Sequence, residues 1–348
     1  MGSDYFHKMT ATTPTRFWVN NPNQIDMAKA IDAGAINCTT NPAHCSKLLK
    51  NEPDYIHGVI DRVIATTGDD DIAADLVYQE CSARIMEGFL PLHERSGGVD
   101  GYVTIQDDPR QDEEASAIID ATMRHAKLGK NYMAKIPVIP SGIAGIEEAI
   151  KQNIALCATE MFSVAQTVHI CELYQRISQA CGNKPVFYVT HITGIYDEYL
   201  KGVVEREGID IDPDVLGQAG CIVARKVHNL IRDRGYETTL LGGGAREMCH
   251  FTEFVGGDFH ITINWSTAQE LIDADIPVVS RINAEASPEV VEELRSKLSD
   301  FRKAYDDDGL SLEEFQEFGP VQHFRNEFIK GYNLLLSEIA ARRVPLTA

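Results

Sequence analysis

Short apolar runs alternate along this chain with longer stretches in which apolar residues recur every three or four positions. The short runs read as strands at Arg16–Asn20, Ala35–Cys38, Tyr102–Gln106, Tyr132–Pro137, Ile154–Ala158, Val186–Val189, Thr239–Leu241 and Phe259–Ile263. The amphipathic stretches read as helices, including Gln24–Asp32, Ile72–Glu94, Glu113–Lys127, Ile143–Lys151, Ser163–Ala180, Val215–Arg234, Arg246–Phe254 and Thr267–Asp273. Strand–helix alternation predicts a parallel sheet covered by helices, and eight repeats is the number that closes a barrel. The expected fold class is therefore α/β, a single (β/α)8 TIM barrel. An open doubly wound sheet competes, although the first loop carries no GxGxxG for a dinucleotide. After Asp275 only helical patterns follow, at Pro288–Phe301, Leu312–Phe315 and Phe324–Ala341. The expected organisation is a flexible segment at 1–15, a barrel at 16–275 and a helical C-terminal extension at 276–348 packed on it.

Composition narrows the partners. The chain has 348 residues and a formal charge of −20. Such a field repels phosphate backbones, so no nucleic acid is expected, and an anionic sugar would need locally placed cations. No apolar stretch approaches the ~20 residues that span a bilayer, and the polar MGSDYFHKMTATTPT start has no signal-peptide core. Eight irregularly spaced cysteines without a CxxC read as reduced thiols in a cytoplasmic protein. Cys38, His44 and Cys45 read as packing residues. Asp306-Asp307-Asp308-Gly309 reads as a solvated turn, because a calcium loop aligned on Gly309 would need acidic ligands at Ala304 and Phe315. No metal and no organic cofactor is expected.

Residues at the C-terminal ends of barrel strands face one shared cavity. Here those ends carry Asn20-Asn21-Pro22, Thr39-Thr40-Asn41-Pro42, Gln106-Asp107-Asp108, Lys135, Thr159, Thr190-His191 and Gly242-Gly243-Gly244-Ala245-Arg246. The set is rich in hydroxyls and amides and holds one lysine, which suits a polyhydroxylated ligand with a carbonyl group. Lys135 lies in NYMAKIPVIPSG, a buried strand. Burial disfavours an ammonium, and a neutral amine attacks carbonyls, so a Schiff base is the chemistry to consider. The plain alternative is a lysine that snorkels to solvent. Thr39–Pro42 also reads as a simple turn. Gly242–Gly244 with Arg246 either holds an anion at a helix N-terminus or allows close packing.

GAINCTTNPA, the lysine of AKIPVIPSGI, ALCATEMFSVAQ and GGGAREM together resemble the transaldolase family, including its fructose-6-phosphate aldolase relatives, from about Phe17 to Asp273. The resemblance implies a Schiff-base lysine at Lys135 and substrate contacts from Thr39 and Asn41. It also implies a catalytic water positioned by Thr159, with Phe162, Ser163 and Gln166 at the following helix start, a substrate-side hydroxyl at Thr190 and a phosphate contact at Arg246. Several positions depart from the family pattern. Asn20 stands for an aspartate, Gln106 for the catalytic glutamate of transaldolases (the aldolases have glutamine), Gly244 for a phosphate-binding serine, Ile195 for a second phosphate arginine, and Cys157 for an asparagine.

The catalytic set expected from this likeness is Lys135, Gln106, Thr159 and Asn20, and the substrate-binding set is Thr39, Asn41, Thr190, Gly244 and Arg246. An amide cannot move protons, so Asp107, Asp108, Asp26 and His191 stand in reserve, with His191 equally readable as a structural donor. Arg225, Lys226 or Lys201 could supply the missing cation. The expected function is transaldolase-like: cleavage of a ketose or its phosphate through Lys135, with transfer or release of a dihydroxyacetone unit. That implies carbohydrate metabolism, in the pentose phosphate pathway, and relatives that are often homo-oligomers. An aldolase on an unusual, non-phosphorylated substrate and a non-catalytic sugar-binding barrel are the alternatives.

Overall fold

A computed structural model describes residues 4–343. Eight parallel strands close in chain order: β1 (Arg16–Asn20), β2 (Asn37–Thr39), β3 (Val103–Gln106), β4 (Tyr132–Pro137), β5 (Leu156–Met161), β6 (Phe187–Ile192), β7 (Thr239–Gly243) and β8 (Phe259–Ile263). β8 returns alongside β1, Phe17 opposite Ile261, so the ring has no edge and the open-sheet alternative is excluded. Alternation divides each strand between two cores. Trp18, Tyr102, Met133, Cys157, Tyr188 and Leu241 fill the barrel interior, while Phe17, Val103, Ala134, Ala158 and Val189 pack under the helices. Trp18 Nε1 donates to His260 Nδ1 at 3.0 Å, satisfying the one polar atom that the indole brings inside.

Several elements differ from the periodicity. β5 and β6 run three residues further than expected, and β2 starts two residues later. The helix expected at Val215–Arg234 is two helices, Pro213–Leu216 and Ala219–Arg234, interrupted at Gly217-Gln218. The segment expected to be flexible instead forms the helix Tyr5–Thr12, because Tyr5, Phe6 and Met9 are buried and Phe6 stacks on Phe17 with centroids 4.3 Å apart. Residues 1–3 of that segment, and 344–348 at the other end, lie outside the described residues.

Two further features position the site. The long helix Gly319–Arg343 lies over the C-terminal mouth of the barrel, with Phe324 packed against Phe162 of the β5 loop at 6.1 Å. Arg325 ties it down through Nε, which donates to both Asp112 oxygens at 2.8 and 3.0 Å. The second feature is the turn after β4. The next helix starts at Pro140, three residues before Ile143, since proline's fixed φ suits a first turn. A Cβ on Gly142 would sit 2.0 Å from the Pro137 carbonyl oxygen, a backbone atom that cannot swing aside. Gly142→Ala is therefore expected to cost about 1–3 kcal/mol in urea unfolding, and an unchanged midpoint would show that this turn has slack.

Candidate active site

The mouth of the barrel encloses a cavity of about 260 Å3. Asn20, Thr39, Asn41, Lys135, Thr159, Thr190, Gly244 and Arg246 all line it. Gln106 does not; it lies buried beside the cavity, opposite Lys135 in the β3–β4 register. A larger groove of about 930 Å3 runs outside the barrel between the helices Asp70–Arg95 and Ala115–His125, away from Lys135, with six carboxylates alongside Arg124 and Lys127 in its lining.

Lys135 points inward because Met133, two residues earlier, fills the barrel interior. Its residue is 6% exposed, and burial pulls the amine below the ordinary lysine value, with Cys157 and Glu160 opposing that shift. Phe328 of the long helix covers it, the ring centroid 5.3 Å from Nζ. Around the amine runs a polar ring. Thr39 Oγ1 donates to Asn20 Oδ1 at 3.0 Å and lies 2.6 Å from Thr262 Oγ1. Asn20 Nδ2 donates to Asn264 Oδ1 at 3.2 Å. Thr190 Oγ1 sits 3.0 Å from Cys157 Sγ.

None of the reserve proton carriers reaches this cavity. His191 faces away from it, buried on the outer side of β6, where desolvation lowers its pKa to about 3 and keeps it neutral. Asp107 is held by His125 Nδ1 at 3.1 Å, and Asp108 by Arg110 Nε at 3.0 Å. Asp26 lies in the first turn of the helix Gln24–Asp32 and does not line the cavity. A carboxyl that periodicity did not single out is bonded to Gln106, behind the residues that line the cavity. Gln106 Nε2 donates to Glu160 Oε1 at 2.7 Å, and Glu160 is fully buried. Burial raises its pKa to about 8; Asp112 adds to the rise, while Gln106, Lys135 and Arg325 oppose it.

The Ser163–Gln166 motif supports the end of β5 rather than facing the cavity. Ser163 caps the helix Val164–Cys181 by accepting from the Gln166 amide at 3.2 Å. The Gln166 side chain donates to the Glu160 and Val138 carbonyls, each at 3.1 Å, and accepts from Phe162 N–H at 2.9 Å.

The outer rim combines charge and apolar surface. Arg246 Nε donates to Glu198 at 2.8 Å, and its Nη2 lies 3.5 Å from Glu327. Lys47 Nζ donates to Asn264 Oδ1 at 3.4 Å and shares the cavity with Arg246. The cations considered from sequence are elsewhere: Arg225 is paired with Glu253, Lys226 with Asp307, and Lys201 does not line the cavity. Ile192, Ile195, Phe324 and Phe328 form an apolar wall. Gly244 has φ +67°, and a Cβ there would meet Ile192 Cγ2 at 2.7 Å and Ile195 Cδ1 at 2.9 Å. Thr262 and Asn264 follow the strand-end rule on β8, so they were within reach of sequence reasoning; Lys47 and the helix residues carried no such signal.

The sequence matches the family model described as Transaldolase/Fructose-6-phosphate aldolase across residues 17–318. It is 26% identical to a transaldolase of Alteromonas mediterranea over 81% of this chain and 84% of that protein. It is also 23% identical to a transaldolase of Neisseria meningitidis over 54% of this chain and 60% of the relative. A transaldolase of Kocuria rhizophila is 26% identical over 59% of this chain and 58% of the relative.

Removing the ring above the amine should change its acidity with a sign that two effects contest. Readmitting water favours the ammonium by up to several pH units, whereas losing a desolvated cation–π contact disfavours it by about 2 kcal/mol, so desolvation wins. Phe328→Ala is expected to raise the pKa of Lys135, moving its acylation by an amine-selective reagent to higher pH. An unchanged reactivity profile, read by mass spectrometry, would show that Phe328 does not keep water out.

Proposed function

We propose that this chain, which belongs to the transaldolase/fructose-6-phosphate aldolase family, captures a ketose as an imine on Lys135 and cleaves it there. The observation that carries this reading is a buried amine, biased toward its neutral form, at the floor of a cavity walled by hydroxyls and amides. Lys135 Nζ bonds to the ketose C2. Loss of water then leaves an iminium that accepts the electron pair released when the C3–C4 bond breaks. Thr39, Asn20 and Asn41, which line the cavity, would orient the hydroxyls of the three-carbon fragment, with Thr190 also in the lining, and Thr159 would hold a water. The fragment then passes to an acceptor aldose or is released. The imine itself serves as the electron sink.

Two arrangements of the rim are distinguishable. A phosphate would be received by Arg246 and Lys47, displacing Glu327 and Glu198 from the guanidinium. A neutral ketose is favoured by Ile195 and Gly244, which leave an apolar wall where the resemblance implies an arginine and a serine, and by the two carboxylates that already pair Arg246.

Borohydride reduction in the presence of fructose 6-phosphate should leave a mass adduct on Lys135, and Lys135→Met should lose both adduct and turnover while melting like the wild type. No adduct with any of a panel of ketoses sinks the reading. Erythrose 4-phosphate as acceptor separates transfer from release. Arg246→Ala should raise KM for a phosphorylated ketose about 10-fold or more, the worth of one charge-assisted hydrogen bond, and leave KM for fructose unchanged. Equal effects on both sugars would favour the neutral substrate.

A further inference from the structure

We propose that Glu160, turned to the inner side of the barrel at the end of β5, holds and returns the proton for the chemistry at Lys135, acting through a water on Thr159. This rests on the reading of Lys135 as the imine-forming amine. The geometry begins with a register shift. Ala158 stands opposite Val189 and Met161 opposite His191, so β5 spends three steps where β6 spends two. Ala158 and Met161 both pack under the helices, which leaves Thr159 and Glu160 together on the inner side. Glu160 takes a left-handed φ of +57°, sparsely populated by residues with a side chain, and Gln166 clamps its carbonyl in place. Backbone strain of this kind is retained where surrounding structure enforces it.

Gln106 confirms where the carboxyl lies. β3 and β5 flank β4 on either side, so the Gln106–Glu160 hydrogen bond of 2.7 Å crosses the strand that bears Lys135. Glu160 Oε1 accepts from the amide, while Oε2 has no partner within the described residues, nor does Thr159 Oγ1 or Gln106 Oε1. A neutral carboxyl fits this pattern, its proton on Oε2. The charged and titratable groups facing it are Lys135 from β4, Asp112 from the loop after β3, and Arg325 from the long helix. With Oε2 protonated below a pKa of about 8, both forms of the acid are accessible near neutral pH.

The proton balance closes on one group. After Lys135 adds to C2 and a proton moves from nitrogen to oxygen, the carboxyl gives its proton through water to the carbinolamine hydroxyl. The C2–O bond breaks, water leaves, and iminium and carboxylate remain. The carboxylate then takes the C4 hydroxyl proton through water. The C3–C4 bond breaks, its electron pair goes to C3, and an enamine, a free aldehyde and the original carboxyl result. Gln106 cannot do this, because an amide has no proton to exchange at these pH values. Its part is to aim Glu160.

The test uses the full chain and the rate of borohydride trapping with fructose 6-phosphate. Wild-type trapping should slow above pH about 8, as Glu160 loses its proton. Glu160→Gln should still give an adduct on Lys135, but about 100-fold more slowly or worse and without that alkaline fall. The exchanged pair Gln106→Glu with Glu160→Gln keeps one carboxyl and one amide in the same bond. It should recover about 10-fold or more of the lost rate, the low end of what a placed acid supplies. A Glu160→Gln protein trapped within about threefold of wild type, with the alkaline fall intact, overturns the proposal. Should that variant not fold, Glu160→Asp decides alone: trapping slowed about 10-fold or more with normal melting supports the proposal, and trapping within about threefold of wild type overturns it. A wild type that traps no ketose of a panel, phosphorylated or neutral, defeats the Lys135 reading itself, an outcome distinct from either.

Discussion

Closure of the strand ring puts an amine where water reaches it only through the mouth, and most of the site follows from that constraint. In bulk water Lys135 would be an ammonium. Burial between the Met133–Cys157 layer below and Phe328 above penalises that charge. The same enclosure raises Glu160, so the two groups lean toward a neutral amine and a neutral acid rather than a fixed ion pair. A locked ion pair there would offer neither a nucleophile nor an acid. Burial in this barrel therefore shifts both groups toward their neutral forms.

The long C-terminal helix belongs to the same scheme. It supplies Phe324, Glu327 and Phe328 to the cavity, and Arg325 bolts it to Asp112 beside the β3 end. One element thus covers the amine, adds a carboxylate to the rim and places a cation near the buried acid. These contacts join residues 81 to 213 positions apart, which is why no local pattern announced them.

The barrel was legible because its signal is local. β1, β4 and β8 lie at the residues where apolar runs placed them, and Lys135 sits at the strand end that NYMAKIPVIPSG suggested. What periodicity could not supply was the end of β5. Strict alternation turns Glu160 outward, among the helices, and the extra residue between Ala158 and Met161 reverses that. His191 illustrates the opposite error: a histidine at a strand end looks available, yet it occupies the outer face of β6 with its charge suppressed by burial. The N-terminal helix was hidden for a third reason. Tyr5, Phe6 and Met9 are too few to mark a period, but all three are buried, and Tyr5 and Phe6 meet the aromatic cluster around Phe17 and Phe251.

Gly244 and Ile195 are coupled by contact rather than by chemistry. Ile192 and Ile195 together fill the space that any side chain at 244 would enter, and the left-handed backbone there already favours glycine. Sequence change at this rim therefore has a direction in time. With both isoleucines in place a side chain at 244 is shut out, so a polar rim here could be regained only after residues 192 and 195 had given way. Specificity here would drift like a ratchet, easily moved one way and reversible only in a set order of steps.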